Sequence, residues 1–160
     1  MKITFFGHAN FSAAPEMKER VLGLLEEKIA DDDVEFYLGG YGNFDRFALE
    51  CCQAYKHKHA DARLVFITPY LGDWLDTRKE YLEKTYDEII YPDIESTPKK
   101  FSISKRNEWM VNQADLVIGY VMLHFGGAYT ALKYAKTRKK PYINLYHAVN
   151  ASLNVHSFPS

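Results

Sequence analysis

Only two cysteines occur in the 160 residues, and they are neighbours, Cys51 and Cys52. Vicinal cysteines are poorly placed for an ordinary disulfide, and no CxxC pair exists to hold a thiolate-bound metal. The thiols are therefore expected to be reduced, on a partly buried helix face, in a cytoplasmic protein. No apolar run approaches the ~20 residues that crossing a bilayer requires. The chain opens Met1-Lys2-Ile3-Thr4-Phe5-Phe6, with charged residues soon after, so no signal peptide is expected. Neither sign of charge is in excess: 20 Lys and Arg against 21 Asp and Glu leave a net charge of −1. No global field draws such a chain to nucleic acid or to an anionic membrane, although a local basic site is compatible with it. The GxSxG elbow, the HExxH helix and the GxxxxGK(S/T) phosphate loop are also missing.

What is present reads as one α/β domain over residues 1–147, with a C-terminal tail at 148–160. The length is enough to bury a sizeable core. Lys2–Phe6, Val34–Leu38, Arg63–Ile67, Asp115–Val121 and Pro141–Leu145 are short apolar runs of strand length. A further short strand is predicted near Glu88–Tyr91. Between them lie helical periodicities. One starts near Ser12–Pro15 and carries Met17, Val21, Leu24, Leu25 and Ile29 to Ala30. A second carries Phe44, Phe47, Ala48, Cys51, Cys52 and Tyr55. A charged piece covers Thr77–Lys84, and a helix runs from Ser102 or Ser104 to about Gln113. The last begins at Gly126-Gly127 and carries Ala128, Ala131, Leu132 and Ala135. Strands alternating with helices predict a Rossmann-like three-layer sandwich with a mostly parallel sheet of five to six strands. The tail from Ala148 has no periodicity. Twelve Tyr and ten Phe are mostly core or interface residues, with some available to line a pocket.

In such a sheet, ligands settle where loops leave the carboxyl ends of the strands. Four stretches fall on that edge: Gly7-His8-Ala9-Asn10, Gly39-Gly40-Tyr41-Gly42-Asn43-Phe44-Asp45, Thr68-Pro69-Tyr70 and Phe125-Gly126-Gly127-Ala128-Tyr129-Thr130. The second and fourth place a glycine pair before a helix. Glycine lets backbone N–H groups approach a ligand, and a helix N-terminus favours a phosphate. The ligand-binding set expected from this is Gly7, His8, Asn10, Gly39, Gly40, Tyr41, Gly42, Asn43, Asp45, Thr68, Pro69, Arg106, Asn107, Gly126, Gly127, Tyr129 and Thr130. Within it, His8 is a base or a phosphate donor, or else a histidine bonded to a loop carbonyl. Asp45 takes ribose hydroxyls or caps its helix; Asn43 and Thr130 cap or touch a ligand. Arg106 grips a phosphate in bidentate fashion or is a solvated member of the basic run that includes Lys99, Lys100 and Lys105. His57 and His59 flank Lys58 on a polar helix end, and Asp31-Asp32-Asp33 is a polar turn, so no metal is expected. Lys136, Arg138, Lys139 and Lys140 form a helix end whose charge suits the dipole.

Together these motifs resemble the SLOG superfamily, whose Rossmann-like fold is shared by LOG phosphoribohydrolases and DNA-processing protein A. The resemblance spans about residues 2–145. It is closest to a branch of small bacterial and phage proteins with a strand ending in GH, a GG-x-x-G-x-D motif, an RN-x-x-M helix and a GG-x-x-T helix start. Here those are Gly7-His8, Gly39 to Asp45 (with the third glycine, Gly42, one position earlier than in that pattern), Arg106-Asn107-Glu108-Trp109-Met110 and Gly126-Gly127-Ala128-Tyr129-Thr130. The resemblance implies a nucleotide-type ligand across the two glycine motifs and a homo-oligomer. In LOG enzymes an Arg and a Glu assist cleavage of an N-glycosidic bond. Arg106 is similar to that Arg; the Glu is unmatched, since Lys133 stands three residues past Thr130, and Phe125 replaces the motif's proline.

Three functions follow as expectations. The first is a domain that binds or senses a nucleotide or an NAD-derived small molecule, without a further cofactor. The second is a LOG-like hydrolase or transferase acting on a nucleoside monophosphate, with Arg106, Asp45 and His8 as catalytic candidates. The third is a single-stranded DNA-binding protein, against which the near-neutral charge and the lack of an extended basic and aromatic stripe both argue.

Overall fold

The computed structural model describes residues 1–147, so the expected tail at 148–160 lies outside the described residues. Six strands form one sheet: β1 (Lys2–Gly7), β2 (Glu35–Leu38), β3 (Arg63–Ile67), β4 (Glu88–Ile90), β5 (Leu116–Tyr120) and β6 (Tyr142–Asn144). Their spatial order is β4-β3-β2-β1-β5-β6, and every neighbouring pair is parallel. The mostly parallel sheet expected from sequence is thus wholly parallel among the described residues.

Parallel strands demand cover on both faces, and the side-chain alternation supplies it. Ile3, Phe5, Phe36, Leu38, Leu64, Phe66, Leu116 and Ile118 point to one face. There they meet α1 (Met17–Ile29) and α2 (Asn43–Lys58), through Val21, Leu25, Phe44 and Cys52 among others. Phe6, Tyr37, Val65, Ile67 and Val117 point to the other face and meet α5 (Ser102–Gln113) and α6 (Gly127–Thr137) through Met110, Val111, Leu132 and Ala135. Both thiols are fully buried, and burial pushes Cys51 up to about 12 and Cys52 well above its usual range. The expected partly buried face is therefore a fully buried one at these two positions.

Two segments differ from the sequence reading. Residues 8–16 are loop, and α1 starts at Met17 rather than near Ser12–Pro15. The cause is Phe11, which is 7% exposed and packs edge-on against Phe44 and Tyr120 at ring-centroid distances of 5.2 and 4.8 Å. Burying that ring holds the segment away from helical geometry. Between β3 and β4 the expected single helical piece is two, α3 (Asp73–Asp76) and α4 (Lys79–Thr85). They are joined at Arg78, whose guanidinium lies 4.3 Å from the Trp74 ring centroid and donates to the Trp74 carbonyl.

Because β1 is central and the chain steps to β2 on one side and to β5 on the other, the exits of β1 and β5 form the topological switch point. That is the place where open α/β sheets bind ligands.

Candidate functional site

At this switch point lies a cavity of about 310 Å³, within the size range of small-molecule sites. Its floor is the end of β1, from Phe5 to Asn10. One wall comes from the β2–α2 loop (Gly39, Tyr41, Asp45), another from α5 (Ile103, Arg106, Asn107, Met110), and a third from the β5–α6 junction (Leu123 and Phe125 to Ala128).

Arg106 is the electrostatic centre. It is 3% exposed, against the alternative of a solvated arginine. Its Nη1 donates to the carbonyls of Ile67 at 2.8 Å and Gly39 at 3.2 Å, and its Nε to Asn107 Oδ1 at 3.0 Å. Ile67 is the last residue of β3 and Gly39 follows the last residue of β2, so the guanidinium satisfies two strand-end carbonyls at once. Nη2 has no hydrogen-bond partner among the described residues. Burial pulls the guanidinium down to about 10, which still leaves it charged at neutral pH, and the Asp45 carboxylate offsets part of that pull.

Asp45 sits on the first turn of α2. Its Oδ2 accepts from the Tyr41 N–H at 2.6 Å, reaching back over the helix start as a capping carboxylate does. Desolvation pushes its carboxyl up to about 6, opposed by the Tyr41 N–H and by Arg106. The carboxyl and the guanidinium sense each other across the cavity without a direct ion pair. The ligand role and the cap role weighed for Asp45 therefore coexist: one oxygen is committed to the loop and the residue also lines the cavity.

His8 holds the opposite wall. Its Nε2 accepts from the backbone N–H of Met122 at 3.0 Å and of Leu123 at 3.3 Å. The ring is thus neutral with its proton on Nδ1, and burial lowers its pKa in the same sense. With Nε2 engaged as an acceptor by these two amides and not bonded to a loop carbonyl, the histidine clamps the β5–α6 loop. One residue earlier, Asn144 ties that loop down again, accepting from the Val121 N–H at 3.0 Å and donating to its carbonyl at 2.9 Å. The segment from His124 to Gly127 is exposed, so the amides that open α6 meet the cavity.

Of the residues expected from sequence, Gly7, His8, Asn10, Gly39, Tyr41, Asp45, Arg106, Asn107, Gly126 and Gly127 come together here. Gly40, Gly42, Asn43, Thr68, Pro69, Tyr129 and Thr130 lie outside the cavity lining. The Thr68 hydroxyl is used by its own turn, donating to the Tyr70 carbonyl at 2.6 Å and accepting from the Tyr70 N–H at 3.2 Å. The Thr130 hydroxyl donates to the Gly126 carbonyl at 3.0 Å, and the N-cap residues of α2 and α6 are the glycines Gly42 and Gly126, which have no side chain to cap with. Asn43 donates its backbone N–H to the Ala9 carbonyl at 2.9 Å, which joins the β1 and β2 loops. The expected set did not include the apolar part of the lining, Phe5, Phe6, Ala9, Ile103, Met110, Leu123, Phe125 and Ala128. A large aromatic directly before the glycine pair that opens a helix was the available signal for Phe125.

A larger groove of about 1440 Å³ crosses the edge strand β6 between α1 and α6. Its described lining is mostly aliphatic and lysine side chains, such as Val21, Leu24, Leu132, Lys136 and Ile143, without a buried converging polar group. Size alone therefore does not decide the site; the buried guanidinium does.

No protein-family model matches the chain. Over 138 residues it is 26% identical to an uncharacterised SPbeta prophage-derived protein, YoqJ, of Bacillus subtilis, covering 76% of this chain and 81% of that one. In fold it is similar to DNA processing protein A from Helicobacter pylori, a protein with a single-stranded DNA binding mode. The TM-score is 0.59 at 18% identity, over 89% of this chain and 63% of that one. DNA processing protein A from Streptococcus pneumoniae gives a TM-score of 0.59 at 11% identity, over 88% and 48% respectively. The chain thus spans less than two thirds of either of those structures. At such identities the likeness shows the Rossmann-like fold. With the prophage relative it agrees with the resemblance to DNA-processing proteins at that coarse level, and it does not reach the LOG enzymes.

Proposed function

We propose that the chain binds a nucleotide or nucleotide-derived small molecule in the switch-point cavity, with its phosphate at the start of α6 and beside Arg106. The observation that carries this reading is a guanidinium that is 3% exposed, fixed by two strand-end carbonyls, with Nη2 still free among the described residues and lining the cavity. A buried cation with unused donors calls for an anion. The open amides of Gly127 and Ala128 at the N-terminus of an 11-residue helix supply the matching field.

The test is thermal unfolding with nucleoside mono-, di- and triphosphates, NAD, ADP-ribose and cyclic nucleotides. A true ligand at about 100 times its dissociation constant adds ~2.7 kcal/mol, a shift of several degrees for a domain of this size. No shift with any of them defeats the reading. Salt-sensitive binding of single-stranded DNA instead would favour the activity for which the Helicobacter pylori protein is described.

One observation favours a second reading, hydrolysis of an N-glycosidic bond. A cavity carboxyl raised to about 6 is suited to carry a proton near neutral pH. Asp45 would then be the acid or base and Arg106 the phosphate anchor. Release of free base from a nucleoside monophosphate, lost in Asp45→Asn, would support this; stable binding without base release supports binding alone.

A further inference from the structure

Two large rings stand exposed at the lips of the cavity, Tyr41 at 68% and Phe125 at 69%. A single exposed ring needs no explanation. Two at the rim of one cavity, on loops from opposite sides, are a different matter. Tyr41 leaves β2 and Phe125 follows β5, and these strands are the two neighbours of β1, whose end forms the floor. Neighbouring strands are about 4.8 Å apart, so the two lips rise roughly 9–10 Å from one another. A planar ring held between two others needs about 7–8 Å, twice an ordinary carbon–carbon contact.

Both rings are uncommitted. Nearby aromatics are engaged: Phe11 with Phe44 and Tyr120, and Tyr70 with Trp74 and the Lys99 ammonium. Neither Tyr41 nor Phe125 has a ring or cation partner among the described residues. Their backbones are nonetheless fixed. The Tyr41 N–H is held by Asp45, and Phe125 follows the two residues whose amides His8 holds by only two positions. Presenting a free aromatic face from an anchored backbone is how stacking platforms bind bases at low ordering cost.

We infer that Tyr41 and Phe125 form an aromatic clamp that takes the planar heterocycle of the ligand, while Arg106 and the start of α6 take its phosphate. This rests on the nucleotide reading above and specifies where the base goes. It makes the ligand a nucleobase-bearing phosphate rather than a sugar phosphate or inorganic phosphate.

The experiment is calorimetric titration of the wild type, Tyr41→Ala, Phe125→Ala and Tyr41→Phe with AMP and with ribose 5-phosphate. The clamp predicts that AMP binds the wild type more tightly than ribose 5-phosphate does. Each alanine variant should lose about tenfold for AMP, leave ribose 5-phosphate within twofold, and melt at the wild-type temperature because both positions are exposed. Tyr41→Phe should keep the affinity for AMP. If AMP binds and neither alanine variant changes it, or if both ligands bind the wild type equally, the clamp is overturned and the nucleotide reading stands. If neither ligand binds the wild type and no nucleotide of the thermal-unfolding series does, both fall.

Discussion

The two glycine pairs, Gly39-Gly40 and Gly126-Gly127, look alike in sequence and precede helices at the same sheet edge, and each contains a glycine at positive φ, yet their surroundings differ. In the first loop the protein fills the space. A Cβ on Gly39 would meet the Arg106 guanidinium at 3.2 Å, and one on Gly40 the Phe66 ring at 2.6 Å. On the following Gly42 it would meet the Ala9 backbone at 2.7 Å, at a φ of +89°. In the second loop a Cβ on Gly126 or Gly127 would meet nothing within 4 Å, and only the φ of +95° at Gly126 calls for glycine. The same dipeptide thus encodes self-packing on one side of the cavity and open approach on the other. Only the second has the geometry expected of a loop that receives a ligand; the first builds the wall.

That contrast can be broken in four places. The largest effect is expected at Gly42→Ala, which combines a left-handed backbone with contact against main chain. Urea denaturation should show a loss of roughly 3 kcal/mol, and a loss as small as that of Gly127→Ala would erase the distinction between the loops. Next comes Arg106→Met, which leaves the buried carbonyls of Gly39 and Ile67 without a donor. A loss of about 2 kcal/mol is expected, together with loss of phosphate-ligand binding; unchanged stability would mean that Arg106 does not support the first loop.

Asp45 gives a smaller effect with a definite sign. Its carboxyl is raised from 3.8 to about 6 in the folded protein. The folded state therefore holds that proton more tightly than the unfolded one. The stabilisation is fully present below pH 4 and is lost as pH rises through 6. Measured from pH 4 to 7, the stability of Asp45→Asn should rise relative to wild type and then level off; a flat difference would contradict the desolvated carboxyl. The smallest effect on stability is expected at Gly127→Ala, within about 0.5 kcal/mol of wild type. Its nucleotide affinity should nevertheless fall more than tenfold by calorimetry, because the methyl group would occupy the approach to the α6 amides.

The strands were legible because a parallel sheet writes each of them as a short apolar run between turn residues. β1, β3 and β5 read correctly to within a residue or two on that basis. The start of α1 was not legible: Ser12 and Pro15 are good helix openers locally, and only the burial of Phe11 among Phe44, Phe47 and Tyr120 overrules them. In the site, the glycine loops, His8 and Asp45 announced themselves through position after a strand. Arg106 was singled out through the family resemblance and not by its position, because it shares its neighbourhood with Lys99, Lys100 and Lys105. What buries it is a pair of carbonyls 39 and 67 residues away along the chain. Thr68 and Pro69 show the converse, since a polar residue after a strand can spend its hydroxyl on its own turn.

The buried thiols have a practical consequence. The chain has only Cys51 and Cys52, both inaccessible and both held protonated by their surroundings. An alkylating reagent reacts with thiolate, so in the closed molecule it finds nothing to attack. Labelling must wait until α2 lifts from the sheet. Its rate is therefore a clock for that opening, readable by mass without any added probe, and a ligand seated beside the first turn of α2 should slow it.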